Sequence, residues 1–294
     1  MRGIVTGGSG FLGSHVADHL AAQGHEVVVY DVQPTTRHVS VVGDLLDLEA
    51  LKRAFDGIDF VCHLGAIGDV YLAGEKPALA ATVNAAGTAN VCDAALATKV
   101  GRVVVASTWE VYGEPHYQPL DEKHPCEPDH PYNITKLAGE RLALASGRLR
   151  GLNVVALRLG TAFGTRMRPN SVFSIFIRKA LAGEPITIQG SGSQGRQFTH
   201  TRDVGRGFEA VLTKGPSGSV YNIVGDRMVS IRELAELVTK IAPTKLTYGE
   251  ARPGDVPSAL VSNVLARAEL GWAPTVDFEE GLRELVDEAS AHRP

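Results

Sequence analysis

The chain has 294 residues, 44% hydrophobic and 21% charged, an ordinary globular composition with room for one large domain or two unequal ones. A net charge of −4 gives no basis for a nucleic-acid partner, and no apolar stretch approaches the ~18 residues a membrane helix needs. Three cysteines without paired spacing (Cys62, Cys92, Cys126) and ten histidines without ligand spacing predict reduced thiols, no metal site and a cytoplasmic protein.

The first predicted strand, 3–6, begins almost at Met1, which predicts no cleaved leader. It runs into Thr6-Gly7-Gly8-Ser9-Gly10-Phe11-Leu12-Gly13, and a helix follows over 11–23. A second strand, 26–30, delivers an acid, Asp31, about eighteen residues past the glycines. Strand, side-chain-free turn, helix opening and acid-tipped strand together make a dinucleotide site. A Cβ in the turn would block a pyrophosphate, and the helix N-terminus offers it unpaired N–H groups. Strands 39–42, 59–63, 102–106 and 153–158 and helices 47–55, 84–98 and 132–149 complete an alternating pattern. Continuous Val-rich strands in that order predict a parallel sheet buried on both faces. Cys62 and Cys92 lie in apolar runs and read as core residues, with Cys126 in a Pro-rich loop. Beyond Gly164 a short run, Ile186–Ile188, and helices near 172–182, 203–213, 230–241 and 262–270 are separated by Gly/Pro-rich loops. The fold expected is α/β: a Rossmann-type doubly wound parallel sheet over 1–163, rejoined by 198–224, with a smaller mixed α/β region over 164–197 and 225–294.

Two clusters carry chemistry. Tyr132 and Lys136 are four apart on a helix and share a face, which sets an ammonium near a phenol that would otherwise titrate near ~10. A cation there stabilises the phenolate and fits it for base work at neutral pH. Val105-Ala106-Ser107-Thr108-Trp109-Glu110-Val111-Tyr112-Gly113 falls at the carboxyl end of a buried strand, where open α/β sheets bind ligands. Thr108 can bond a hydroxyl or ketone, or simply cap the strand end. Glu110 is a possible second base or a solvated loop carboxylate, and Tyr112 reads as a packing residue.

With these segments in place, the chain resembles the extended short-chain dehydrogenase/reductases of the nucleotide-sugar epimerase/dehydratase family. The matches run in order through Gly7/Gly10/Gly13, Asp31, Gly43-Asp44-Leu45, His63-Leu64-Gly65-Ala66, Asn84 with Gly87-Thr88, Ser107-Thr108, Tyr112-Gly113 and Tyr132/Lys136. They continue through Arg158, Gly164, Arg168-Pro169, Gly190 to Arg196, Asp203-Val204, Arg252-Pro253-Gly254-Asp255 and Leu270-Gly271-Trp272. The resemblance implies bound NAD that accepts a hydride from a nucleotide-diphosphate sugar, usually at C4, and returns it. In that scheme Tyr132 takes the hydroxyl proton, Thr108 polarises the oxygen, and Lys136 also holds the nicotinamide ribose. Gly7, Gly10, Phe11, Leu12, Gly13, Asp31 and Ser107 would contact the cofactor, with Asp44 and Leu45 beside the adenine. Leu64, Gly65, Ala66 and Asn84 would line its channel. Arg196 and Arg252 match positions that clamp the diphosphate, and Asp203 is expected to cap the helix it opens. Asp31 favours NAD over NADP, because a 2′-phosphate would meet a carboxylate. Arg37, nearby in sequence, argues the other way.

The chain departs from the family pattern in two places. Gly160-Thr161 replaces a usual Phe-Asn after Arg158, which puts Thr161 near the substrate in place of an amide. Trp109 stands where 4,6-dehydratases carry the Asp that expels the C6 hydroxyl, yet Glu110 is kept, as in dehydratases and some sugar-acid decarboxylases. The Arg-Pro-Gly-Asp segment favours an epimerase. A dehydratase or decarboxylase using Glu110 is the second reading, and a non-catalytic NAD-binding sensor the third. Helices 84–98 and 132–149 carry Ala- and Leu-rich faces (Val91, Ala94, Ala95, Leu137, Leu142, Leu144). Those faces would serve either a homodimer, as in relatives, or packing on the sheet.

Overall fold

The computed structural model describes residues 1–250 and 258–291. Its first half alternates strands and helices: β1 (Arg2–Thr6), α1 (Phe11–Ala22), β2 (Glu26–Asp31), β3 (Val39–Val42), α2 (Leu48–Ala54) and β4 (Phe60–His63). Two short helices, α3 (Val70–Glu75) and α4 (Pro77–Ala80), lead through a wide π-helical turn, Ala81–Ala86, into α5 (Gly87–Ala97). Then come β5 (Arg102–Thr108), α6 (Pro131–Arg150) and β6 (Val154–Leu159). The second half holds β7 (Thr161–Phe163), α7 (Val172–Leu181), β8 (Ile186–Gln189), β9 (Gly195–His200), α8 (Thr201–Thr213) and β10 (Val220–Ile223). It ends with β11 (Met228–Ser230), α9 (Ile231–Ile241), β12 (Leu246–Gly249) and α10 (Phe278–Ala291).

Seven strands form one parallel sheet in the order β10-β6-β5-β4-β1-β2-β3. The period-2 alternation of the strands divides the core cleanly. Val5, Val27, Val29, Val104 and Leu157 face α1 and α8, whereas Ile4, Val28, Val61, Val103 and Val105 face α2, α5 and α6. Cys62 and Cys92 are both fully buried, as expected of small core residues, and burial raises both thiol pKa values.

The chain winds outward from β1 in both directions, so the sheet reverses its strand order between β1 and β4. Thr6 pairs with His63 there, and Leu64 N–H donates to Thr6 C=O at 3.0 Å. A crevice at the carboxyl ends of these two strands follows from that topology. The smaller sheet, β11-β9-β7, and the β12-β8 pair flank a third core built on Phe163, Phe173, Phe198 and Phe278. Phe163 and Phe173 stack with centroids 5.3 Å apart.

Several sequence expectations need adjustment. The helix expected from residue 84 begins earlier, in the π-helical turn, and α10 is a helix that the sequence reading does not include. Asp203 does not cap α8. His200 Nδ1 accepts from Arg202 N–H at that helix start, while Asp203 is buried and accepts from Thr275 N–H, Thr275 O–H and Val276 N–H. Asp203 therefore ties α8 to the segment ahead of α10. Val91, Ala94 and Ala95 of α5 pack inside on the sheet, whereas Leu142 of α6 is exposed.

Candidate active site

The glycine turn is shaped for an anion. Gly7 has φ +71°, and a Cβ on Gly13 would lie 2.0 Å from Gly7 O, so the first helical turn sits flush on the loop. The N-cap of α1 is Gly10, with no side chain bonded to the free N–H groups of the first turn. An uncapped helix start at a glycine loop fits the pyrophosphate of a dinucleotide. Asp31, at the tip of β2, has one carboxylate oxygen on Ser9 N–H and the other on Gln33 N–H, both at 3.1 Å. It braces the glycine turn against the tip of β2. Asp31→Ala should weaken NAD binding by about tenfold to a hundredfold, the loss of a charged hydrogen bond, and narrow the gap to NADP. Titration calorimetry with both cofactors checks this, and unchanged NAD affinity would place the ribose acceptor elsewhere.

The channel wall is fixed by a buried polar chain. Thr88 O–H donates to Asn84 C=O at 2.7 Å, so His63 Nε2–H must donate to Thr88 Oγ1 at 2.9 Å. That leaves His63 Nδ1 to accept from Thr6 O–H at 2.7 Å. Burial, with the nearby Lys136 charge, lowers the His63 pKa to about 3, so the imidazole is neutral. Asn84, in the π-helical turn, accepts from Ile67 N–H at 2.7 Å and donates to Ile67 C=O and Thr135 Oγ1. It clips the Leu64-Gly65-Ala66-Ile67 loop to the first turn of α6. Its amide is thus engaged by protein, where it holds that loop in place. Leu45 is buried beneath that loop, against Gly65 and Gly87, and Asp44 is exposed, receiving Leu46 N–H on its carboxylate.

Helix α6 carries Tyr132 and Lys136. His130 caps it by accepting Tyr132 N–H, Pro131 occupies its first position, and Gly151 ends it at φ +77°. Its buried stripe runs Thr135, Lys136, Gly139, Glu140 and Ala143, facing β5. Lys136 donates to Ala106 C=O at 2.6 Å, and burial lowers its pKa to about 8 against the opposing Glu140 charge. Burial and then the Glu110 charge push the Tyr132 phenol upward, with Arg168 pulling the other way. In the protein alone Tyr132 is therefore a poorer base than the spacing suggested. Lys136 spends its contact on the strand carbonyl.

At the end of β5, Thr108 Oγ1 accepts Glu110 N–H at 3.3 Å, so the capping role is real. Glu110 lies within electrostatic reach of both Tyr132 and Arg196. Burial raises its pKa, and Arg196 opposes that rise. Ser107 O–H does not face the crevice freely. It donates to Glu140 at 2.6 Å, and Glu140 takes two further bonds from Arg158 at 2.7 and 3.1 Å. Tyr112 is buried under the Arg158 guanidinium, 4.7 Å from ring centroid to carbon, and its hydroxyl donates to Asn222. Trp109 is 6% exposed, in an apolar group with Tyr112, Leu120, Val224, Ala259 and Val261, against which Cys126 packs.

Gly160 is sterically required: a Cβ would meet Thr199 Oγ1 at 2.5 Å. Thr161, next in β7, is partly buried and pairs with Phe198 across the small sheet, two residues along β9 from Arg196. Arg252 lies outside the described residues. Sequence reading overlooked Glu140, four residues beyond Lys136 on the same face, and did not connect Arg168 with the phenol. Phe11 and Leu12 open α1 at the glycine turn, Leu12 against the core and Phe11 edge-on to His15.

The chain matches the model of the "NAD dependent epimerase/dehydratase family" over residues 4–224. It belongs to that family. Among its relatives, a dTDP-glucose 4,6-dehydratase of Streptomyces niveus is 31% identical, the match covering 98% of this chain and 92% of that one. The structure of a UDP-glucose 4-epimerase from Thermotoga maritima with UDP-glucose superposes with a TM-score of 0.94 at 29% identity, covering 99% of each chain. A UDP-glucuronic acid 4-epimerase from Bacillus cereus, solved with UDP-glucuronic acid and NAD, gives 0.91 at 29% identity over 100% of both. The Rossmann-type sheet, the enzymatic nature of the chain and NAD as its cofactor all stand on this kinship. Among the described residues, no helix is long and apolar enough to cross a membrane, and no group of acidic, His and Cys side chains is placed to hold a metal.

Proposed function

We propose that the chain is a nucleotide-sugar 4-epimerase. NAD, when bound, supplies the acceptor and then the donor of one hydride. Tyr132 takes the C4 hydroxyl proton as the C4 hydrogen departs, leaving a 4-keto sugar, and gives that proton back when the other face is reduced. Thr108 bonds the C4 oxygen, and Lys136 orients the nicotinamide ribose and sets charge beside the phenol. Arg196, with Arg252, clamps the diphosphate, since guanidinium forks match phosphate oxygens. Thr161 and Trp109 border the sugar. The observation that carries the reading is Trp109, enclosed by apolar side chains where expulsion of a C6 hydroxyl needs an acid. The working unit is a homodimer through α6, whose Ile134, Leu142 and Leu149 are exposed, and it resides in the cytoplasm.

One observation favours a lyase. Glu110 is partly buried with a raised pKa next to Tyr132, as an elimination or decarboxylation acid–base would be. Incubation with UDP-, GDP-, dTDP- and CDP-sugars, read by mass spectrometry and NMR, separates the two. An isomer of unchanged mass supports the epimerase, and loss of water or carbon dioxide overturns it. Glu110→Gln should keep epimerisation within about tenfold of wild type, whereas a lyase would lose about a hundredfold or more with its acid–base group.

A further inference from the structure

The loop that follows β2 carries a cation as well as an acid. Arg37 stands six residues past Asp31 in the same loop, where a guanidinium could meet a phosphate on the adenosine ribose. The structure turns it away. Arg37 Nη2 and Nε donate to the carboxylate of Asp18 at 2.6 and 3.3 Å. Asp18 lies on α1, and the same carboxylate takes Arg166 Nη1 at 2.8 Å and His38 Nε2 at 2.8 Å. Arg166, arriving from the segment after β7, is itself held by His15 and Glu288.

We propose that Asp18 is a positioning residue for cofactor choice: it parks Arg37 on α1, so Asp31 faces the adenosine ribose without the Arg37 guanidinium beside it. A 2′-phosphate then meets the Asp31 carboxylate while Arg37 is held elsewhere. The start of the loop is pinned at the glycine turn through Asp31 on Ser9 N–H and Ser9 O–H on Gln33 C=O. Its far end is pulled the other way by Asp18. A half-exposed Arg–Asp pair standing alone holds weakly. Here Arg166 and His38 fix the acceptor in advance, so docking Arg37 orders only one side chain. Burial acts against charge on Asp18, but bonds from Arg37, Arg166 and His38 hold its carboxyl well below the usual carboxylate range. The anchor is therefore ionised throughout the neutral range. Without it, Arg37, Arg166 and His38 would lose their shared acceptor; Arg166 keeps His15 and Glu288, and Arg37, the most exposed of the three, is the one free to leave.

The test is calorimetric titration of NAD and NADP into wild type, Asp18→Asn, Arg37→Gln and the double variant, with folding followed by circular dichroism. Asp18→Asn should raise NADP affinity at least about tenfold and leave NAD within about twofold, since a released guanidinium gives a phosphate a charge-assisted fork. Arg37→Gln alone should change neither cofactor, and the double variant should return NADP to the wild-type value. An unchanged NADP affinity in folded Asp18→Asn, or a gain that survives in the double variant, overturns the proposal. So does a fall in NADP affinity in Arg37→Gln alone, because Arg37 would then reach the phosphate with Asp18 in place. That last comparison stands even where Asp18→Asn does not fold.

Discussion

Tyr132→Phe should lower turnover at least about a thousandfold while NAD binds within about twofold of wild type, because only the proton-accepting oxygen is removed. The ring stays in its place on α6, and Lys136 keeps its bond to Ala106 C=O. The more discriminating readout is the titration of the phenol itself, taken as the difference spectrum between wild type and Tyr132→Phe. Without cofactor, burial and Glu110 hold the phenol above its ordinary value, against the opposing charge of Arg168 on the segment after β7. If bound NAD sets its cationic nicotinamide ring against the phenol, as proposed, the ring would oppose that rise, and the titration should move to lower pH when NAD is added. Appreciable turnover in Tyr132→Phe would remove Tyr132 as the base. A phenol indifferent to NAD would mean that Tyr132 does not face the nicotinamide.

Glu140→Gln should destabilise the fold by about 3–5 kcal/mol, the cost of leaving one member of a buried ion pair without its partner. Glu140 is completely buried, and Arg158 nearly so. Burial opposes the Arg158 charge, but the bonds and charge of Glu140 outweigh it and raise the guanidinium pKa. Ser107 donates to the same carboxylate, so the pair ties α6, β5 and β6 together directly behind Thr108 and Lys136. Replacing both partners, Glu140→Met with Arg158→Met, should recover most of the loss, because no unpaired charge then remains. Urea denaturation measures both. A single variant within about 1 kcal/mol of wild type would show that water reaches the pair after all.

The parts of the molecule governed by local chemistry were legible in the sequence. The glycine turn, the acid at the tip of β2 and the Tyr132/Lys136 spacing each announce themselves within a few residues, and the Val-rich strands announce a sheet covered on both sides. What was not legible depends on distant partners. The three-residue strands β7 and β11 are too short to carry a period, and they exist because β9 lies between them. Asp203 looks like a cap because it stands near a helix start, and only the fold brings Thr275 and Val276 to its carboxylate. The π-helical turn before α5 carries Asn84, whose amide bonds Ile67 across the crevice loop, and no propensity records that pairing. Helix α10 is a different kind of miss, since Phe278, Leu282, Leu285 and Val286 already show the 3–4 spacing of a buried helical face. The raised phenol is the most instructive case: spacing places an ammonium one turn away, but burial decides the sign.

Strand β10 completes the edge of the seven-stranded sheet beside β6, and α8 just before it covers Val16 and Leu20 of α1. Both lie beyond residue 200, after the chain has already left for the smaller sheet and come back. A nascent polypeptide emerging from the ribosome thus carries a half-clad nucleotide fold with bare aliphatic surface until Ile223, the last residue of β10, has been synthesised.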